Sequence, residues 1–153
     1  MRRAAFYLLV VPLALALASS YGAAKEESVD EMKAHFESAR LEDRAELGIR
    51  IAQHQLHSAD ELYNAGKVEP ARAAVEEIAI YSERARDAAI QTKKRLKNVE
   101  IDVRKMADKL RDIKRSLAFE DQPPVDQAIR RLEEVRTTLL QEMFAKDEKK
   151  GKK

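Results

Sequence analysis

The longest pattern in the chain is a seam of small or apolar residues that recur at alternating spacings of three and four. This spacing is the heptad of a coiled coil. Neither glycine nor proline occurs between Pro70 and Pro123. The seam therefore predicts one helix of roughly 48 residues from Pro70 to Leu117, about 70 Å long at 1.5 Å per residue. Its thirteen positions are Val75, Ile78, Ser82, Ala85, Ala89, Thr92, Leu96, Val99, Val103, Met106, Leu110, Ile113 and Leu117.

Two apolar stripes precede the seam and point in nearly opposite directions at 100° per residue. One stripe covers Val29–Ala39 and the other Ala45–Tyr63. Ser28–Glu31 matches a capping box, which predicts a helix start. Either this helix breaks near Leu41–Asp43, or its two halves pack against different partners.

The glycines and prolines mark the turns. Gly66 occupies a C-terminal cap position, and Pro70 suits the first turn of the next helix, so the first two helices should form an antiparallel hairpin. Proline at positions 123 and 124 ends the long helix, and a third helix follows from about Pro124 to Ala145. Gly48 lies on the second stripe and indicates close approach of another backbone.

The predicted fold is all-α. A long antiparallel helical hairpin, coiled-coil-like, is closed at one end by the third helix into a three-helix bundle. Charge supports the hairpin: folding about residues 67 and 68 places the acidic segment 25–46 beside about residues 89–110, and the neighbouring stretch 91–115 is basic. A composition of 37% charged and 5% aromatic residues is typical of long helices.

Residues 1–24 have the pattern of a secretory signal peptide. Arg2 and Arg3 precede an apolar run from Ala4 to Ala18, and small residues follow. We expect a cleaved signal, and an uncleaved membrane anchor is the alternative. The domain division is then a signal at 1–24, a helical domain at 25–145 and a charged, disordered tail at 146–153. The protein should be exported, to the periplasm or the extracellular space.

Removal of the signal leaves a neutral chain. The full sequence has 29 Lys plus Arg against 27 Asp plus Glu, and residues 1–24 contain two arginines and no acid. A neutral exported protein gives no reason to expect nucleic acid as a partner. Contact with a membrane is expected only if the signal is retained. There is no cysteine, so no disulfide stabilises the fold.

Three large residues fall off the seam: Ile80, Tyr81 and Ile90. The simpler interpretation is that they flank the seam within the molecule. The functional hypothesis is that they form an interaction surface, either for a second copy in a homodimer or for an unfolded client protein.

His54, His57 and Glu61 are weak metal candidates because spacings of three and four place them on one helical face. The same spacing puts that face outward, where an ordinary solvated surface is the preferred interpretation. No pattern of a nucleophile with its base, or of a phosphate-binding glycine loop, is present. We expect no enzyme and no cofactor.

Two local resemblances support a helical hairpin. The residues Ala59, Leu62, Tyr63 and Gly66, followed by small residues, resemble the middle of one tetratricopeptide unit. The run 64–68 with Ala71–Glu76 looks like the last hairpin of periplasmic cytochrome b-type four-helix bundles. Where that family has its haem histidine, this chain has Arg86, so haem binding does not carry over. Both resemblances imply only an αα-hairpin.

The sequence thus predicts an exported, non-catalytic helical interaction or scaffolding protein of the cell envelope that associates with itself. In size and helicity it is also similar in outline to small periplasmic holdase chaperones, although it lacks their L-T-x-x-Q repeats. A chaperone that binds unfolded clients is the alternative function. Metal sequestration by the two histidines is a weaker one.

Overall fold

The computed structural model describes residues 27–150, and the side chains of residues 27–145. This part of the chain consists of helices and short connections, without a strand, which confirms the all-α class. The predicted signal peptide lies outside the described residues. The elements are α1 (Val29–Ser38), α2 (Leu41–Asn64), α3 (Val68–Thr92), α4 (Leu96–Ser116), a 3-10 turn (Phe119–Asp121) and α5 (Gln122–Lys150).

The prediction of one uninterrupted helix from Pro70 to Leu117 is wrong. Its two halves, α3 and α4, are separated by a three-residue turn in which Lys93 and Arg95 adopt left-handed φ angles of 55° and 62°. No glycine or proline marks this turn. We call residues 93–95 the hinge. The heptad pattern could not reveal it, because the seam keeps its spacing straight through the hinge.

Ion pairs show that the chain turns back at the hinge. Arg95 pairs with Glu46 near the start of α2, and Lys109 pairs with Asp60 near its end, at 2.8 Å. Residue numbers therefore increase in the same direction along α2 and α4. Because α2 and α3 form the antiparallel hairpin, α4 runs antiparallel to α3.

The last helix closes a four-helix bundle. Glu100 of α4 pairs with Arg136 at 2.7 Å, and Lys114 pairs with Asp126 at 2.6 Å, so α5 is antiparallel to α4. α5 also packs beside α3. The helices α2, α3, α5 and α4 thus surround one core as two antiparallel hairpins, α2 with α3 and α4 with α5, and α3 lies parallel to α5, in place of the predicted hairpin with one added helix.

The first predicted helix breaks, which was one of the two alternatives that the opposed apolar stripes left open. α1 ends at Ser38 and α2 begins at Leu41, close to the expected break. The capping box is confirmed: the Glu31 amide donates to Ser28 Oγ at 3.2 Å, and the Ser28 amide donates to Glu31 Oε2 at 2.8 Å. α1 folds back across the hairpin, where Lys33 pairs with Glu77 of α3 at 2.6 Å.

Because α1 folds back, only part of the predicted pairing between the acidic and basic segments forms. Near the hinge the register holds, because Lys94 pairs with Glu42 at 2.7 Å. Further along, Glu37 meets Arg84 instead of a residue of α4. The reason is that both α1 and α4 reverse direction where the prediction had them continue.

The seam is the core of the bundle. Eleven of its thirteen positions are buried, and only Thr92 and Leu117 are partly exposed. Each fully buried Leu, Ile, Val or Met contributes roughly 1.5–3 kcal/mol relative to exposure. From α5 the buried residues are Val125, Ala128, Leu132, Val135 and Leu139.

Gly48 does mark a close approach of helices. A Cβ at this position would lie 3.0 Å from the Tyr81 carbonyl oxygen, 3.1 Å from the Ala85 Cβ and 3.2 Å from a Phe36 ring carbon. The missing side chain therefore lets α1 and α3 approach α2 closely at one point.

α5 is longer than predicted at both ends. It starts at Gln122, with its two prolines in the first turn, and runs to Lys150, into the segment expected to be a charged tail. Across the described part of the chain, no helix has the length and apolar character needed to cross a membrane.

Candidate interaction surfaces

The predicted surface of Ile80, Tyr81 and Ile90 does not form in this fold. Tyr81 is only 7% exposed and packs edge-to-face on Phe36, with ring centroids 5.5 Å apart. Ile90 is half-buried against the core. Ile80 remains at the surface as a single apolar side chain, which is ordinary for a globular protein. The sequence interpretation missed that α1 folds back over α3.

Arg84 covers the rings of Phe36 and Tyr81. Its guanidinium lies 4.2 Å from the Phe36 ring centroid and 5.4 Å from that of Tyr81. It also donates two hydrogen bonds to the Glu37 carboxylate, at 2.6 and 2.9 Å, and these hydrogen bonds lower the pKa of Glu37. The cation thus covers both rings and ties α1 to α3.

A second ionic contact ties α1 into the hairpin. Glu77 of α3 accepts hydrogen bonds from Lys33 of α1 and from Gln55 of α2. Gln55 is buried, so its amide needs this partner. The hairpin face that was expected to bind a partner is therefore occupied by the chain's own first helix.

Among the described residues of the α-helices, the most exposed large apolar side chain lies on α5. Phe144 is 65% exposed, and Leu140 lies one turn before it on α5. Glu142 pairs with Lys93, which places this part of α5 level with the hinge. α4 starts only at Leu96. Residues 140–145, called here the overhang, therefore lie level with the start of α4 and with the hinge, where Met143 packs on the core while Phe144 faces solvent.

Phe119 is the most exposed large apolar side chain among the described residues, at 85%. It lies in the 3-10 turn before α5, at the opposite end of the bundle from the hinge. Next to it, Asp121 accepts a hydrogen bond from Arg72 of α3 at 2.9 Å. The turn is thus fixed to the bundle while its phenylalanine faces solvent.

A small groove lies between α2 and α4, with a volume of about 240 Å³. Ligand pockets usually enclose about 300–1,000 Å³. Its polar residues carry both signs of charge, and Glu46 and Arg95 pair with each other. The arrangement holds no nucleophile beside a base. The lining consists of Ala45, Glu46, Ile49, Arg50, Gln53, Arg95, Asn98, Val99 and Asp102.

The histidine face is an exposed helical surface. His57 Nε2 lies 3.3 Å from Glu61 Oε1, and both side chains are about 70% exposed. His54 is exposed on the same helix. Within residues 27–150, no group of three or more His, Cys, Asp or Glu side chains is placed to hold a metal ion.

Comparison of the chain with protein-family models, with curated proteins and with solved structures finds no match.

Proposed function

We propose that this chain is an exported, non-catalytic helical interaction or scaffolding protein of the cell envelope. The observation that carries the proposal is the overhang, where Phe144 is 65% exposed at the level of the hinge and Leu140 is half-buried one turn before it. The export part rests on the signal pattern of residues 1–24.

The overhang has the properties of a binding element. Aromatic side chains dominate the energy of protein interfaces, and a phenylalanine loses little conformational entropy on binding. α5 holds Phe144 on a helix that is anchored in the core through Leu132, Val135 and Leu139. A rigid support of this kind lowers the entropy lost when a partner binds.

Site-specific photo-cross-linking tests this proposal. A photoreactive phenylalanine replaces Phe144 in the full chain, and the matched control places it at Glu134, an exposed position on the same helix. We expect discrete cross-linked species from position 144 in the envelope fraction and few from position 134. Equal patterns from the two positions, or a protein retained in the cytosol, would contradict the proposal.

A holdase chaperone is the alternative function. It is favoured by a specific observation: Phe119 and Phe144 are exposed at opposite ends of the bundle, so one client segment could contact two separate apolar points. The assay is light scattering of an aggregating unfolded envelope protein at equimolar chaperone. We expect the Phe119→Ser/Phe144→Ser variant to lose the protection, while Ile80→Ser keeps it. Absence of protection by wild-type protein at severalfold excess would reject this alternative.

Metal sequestration has the weakest support. His57 is engaged by Glu61, and no third ligand stands close to His54 among the described residues. Zinc titration by calorimetry, with His54→Ala as the control, tests that function directly.

A further inference from the structure

The hinge joins α3 to α4 at a conformational cost. Lys93 and Arg95 both have positive φ, and the left-handed region costs roughly 1–2 kcal/mol for each residue with a Cβ. All three hinge residues are exposed, and the contacts that hold them are ion pairs at the surface, with Glu142, Glu42 and Glu46. A short connection under strain is the situation in which domain swapping is favoured.

The sequence of the hinge is compatible with a continuous helix. Lysine and arginine are among the better helix formers, and neither proline nor glycine interrupts the segment from Val68 to Ser116 apart from Pro70 in the first turn. Across the hinge the seam passes from Ala89 through Thr92 to Leu96 without a change of spacing. A straight helix would therefore keep one apolar stripe along its whole length.

We propose that two copies of this chain exchange their α4–α5 halves and form a dimer in which α3 and α4 join into one long helix. The inference rests on the proposed function, since it names a second copy of the chain as a partner. The contacts between the two halves, apart from those of the hinge residues, would form again between chains. Examples are Asp60 with Lys109 at 2.8 Å and Glu83 with Arg131 at 2.7 Å.

The exchange removes two costs without losing the core. In each chain Lys93 and Arg95 leave the left-handed region. The last turn of α3 also gains helical hydrogen bonds. The overhang also gains a neighbour. The antiparallel pairing of α4 with α5, continued past Leu96, brings Phe144 level with Lys93, where the closed chain has already turned away. In a continuous helix Lys93 and its neighbours would extend α4 along this part of α5.

The test compares two hinge variants of protein purified from cells that express the full chain. Lys93→Gly/Arg95→Gly relieves the left-handed residues and disfavours the long helix. We expect it to raise the dimer dissociation constant by at least about 100-fold. Lys93→Val/Arg95→Val should lower this constant, because β-branched residues are especially disfavoured at positive φ. Light scattering over a concentration series gives the constants. Lys93→Ala/Arg95→Ala replaces the valine variant if that variant loses its helical circular dichroism.

A cross-link identifies exchange within any dimer. The chain has no cysteine, so Asp60→Cys/Lys109→Cys introduces one pair that spans the two halves. A short thiol-reactive cross-linker should give covalent dimers from the dimer fraction and monomers from the monomer fraction. Lys114→Cys/Asp126→Cys is the matched control, because α4 and α5 travel together and its cross-link stays within one chain.

Two results overturn the inference. A dimer that yields only cross-linked monomers is a side-by-side association, which rejects exchange and leaves self-association intact. A monomer at all concentrations, in the glycine variant and in the valine or alanine variant alike, rejects the dimer itself. In both cases the cross-links from position 144 decide the proposed function separately.

Discussion

The two turns at opposite ends of α3 differ in how the sequence specifies them. Between α2 and α3, Gly66 has φ 71°, its amide donates to the Tyr63 carbonyl, and the Lys67 amide donates to the Leu62 carbonyl at 2.8 Å. These hydrogen bonds make a complete Schellman motif. Between α3 and α4, the same left-handed geometry is adopted by Lys93 and Arg95, without a glycine.

The hinge is held by contacts from elsewhere in the chain. Its three basic residues pair with acids of other helices: Lys93 with Glu142, Lys94 with Glu42, and Arg95 with Glu46. Thr92 adds a local contact, since its hydroxyl donates to the Ala88 carbonyl at 2.8 Å. The comparison teaches that one reversal is encoded by its own residues, while the other depends on the packing of α4 and α5.

The largest expected effect is at the encoded turn. Gly66→Val should lower the free energy of unfolding by about 2 kcal/mol, because a β-branched residue is strongly disfavoured at this φ. A Cβ at residue 66 meets nothing within 4 Å, so packing does not contribute. Urea denaturation measures the change. Gly66→Asn is the control and should lose less, since asparagine tolerates the left-handed region. Equal losses in both variants would show that backbone conformation is not the cause.

The hinge should respond in the opposite direction. Lys93→Gly/Arg95→Gly should raise the stability of the monomer by about 1 kcal/mol, the strain relief being partly offset by the greater freedom of glycine in the unfolded chain. Thermal unfolding at low protein concentration measures the change. Lys94→Gly is the control, since Lys94 has no positive φ, and it should give no gain. A loss in the double variant would mean that the lost ion pairs with Glu142 and Glu46 outweigh the strain that glycine relieves.

The smallest effect concerns the charges that hold the hinge. The hydrogen bond and the charge of Lys94 lower the pKa of Glu42 below its ordinary value of 4.5. The pair therefore stabilises the closed hinge above about pH 4.5, and this contribution is lost as the pH falls through the lower pKa of the folded state. Melting temperatures between pH 7 and pH 3 should fall less steeply in Glu42→Gln than in wild type.

Salt gives the control for that measurement. At high ionic strength the two proteins should become alike at neutral pH, because exposed ion pairs are screened. If Glu42→Gln has the wild-type acid profile at low salt, the pair of Lys94 with Glu42 does not help to hold the hinge.

The candidate surfaces were harder to predict than the fold. Ile80, Tyr81 and Ile90 do lie off the seam, as the pattern shows, but whether an off-seam residue is exposed depends on what else packs there. Tyr81 is buried because Phe36 of α1 packs on its ring. Phe36 reaches Tyr81 only because the chain reverses at Ala39. Phe144 and Phe119 were not singled out, because a single aromatic residue at the end of a helix leaves no periodic signal.

The sequence by itself determined that the seam is buried, where α1 starts, and how α2 turns into α3. These features are local: a heptad spacing, a capping box and one glycine at a left-handed position define them. Only the tertiary structure decided that the long apolar seam folds at residues 93–95. A straight helix and a folded one bury the same stripe, so the choice depends on where the covering helices come from. Within one chain, α4 reaches α2 and α5 reaches α3 only if the chain turns back, and the burial gained there outweighs two residues in the left-handed region.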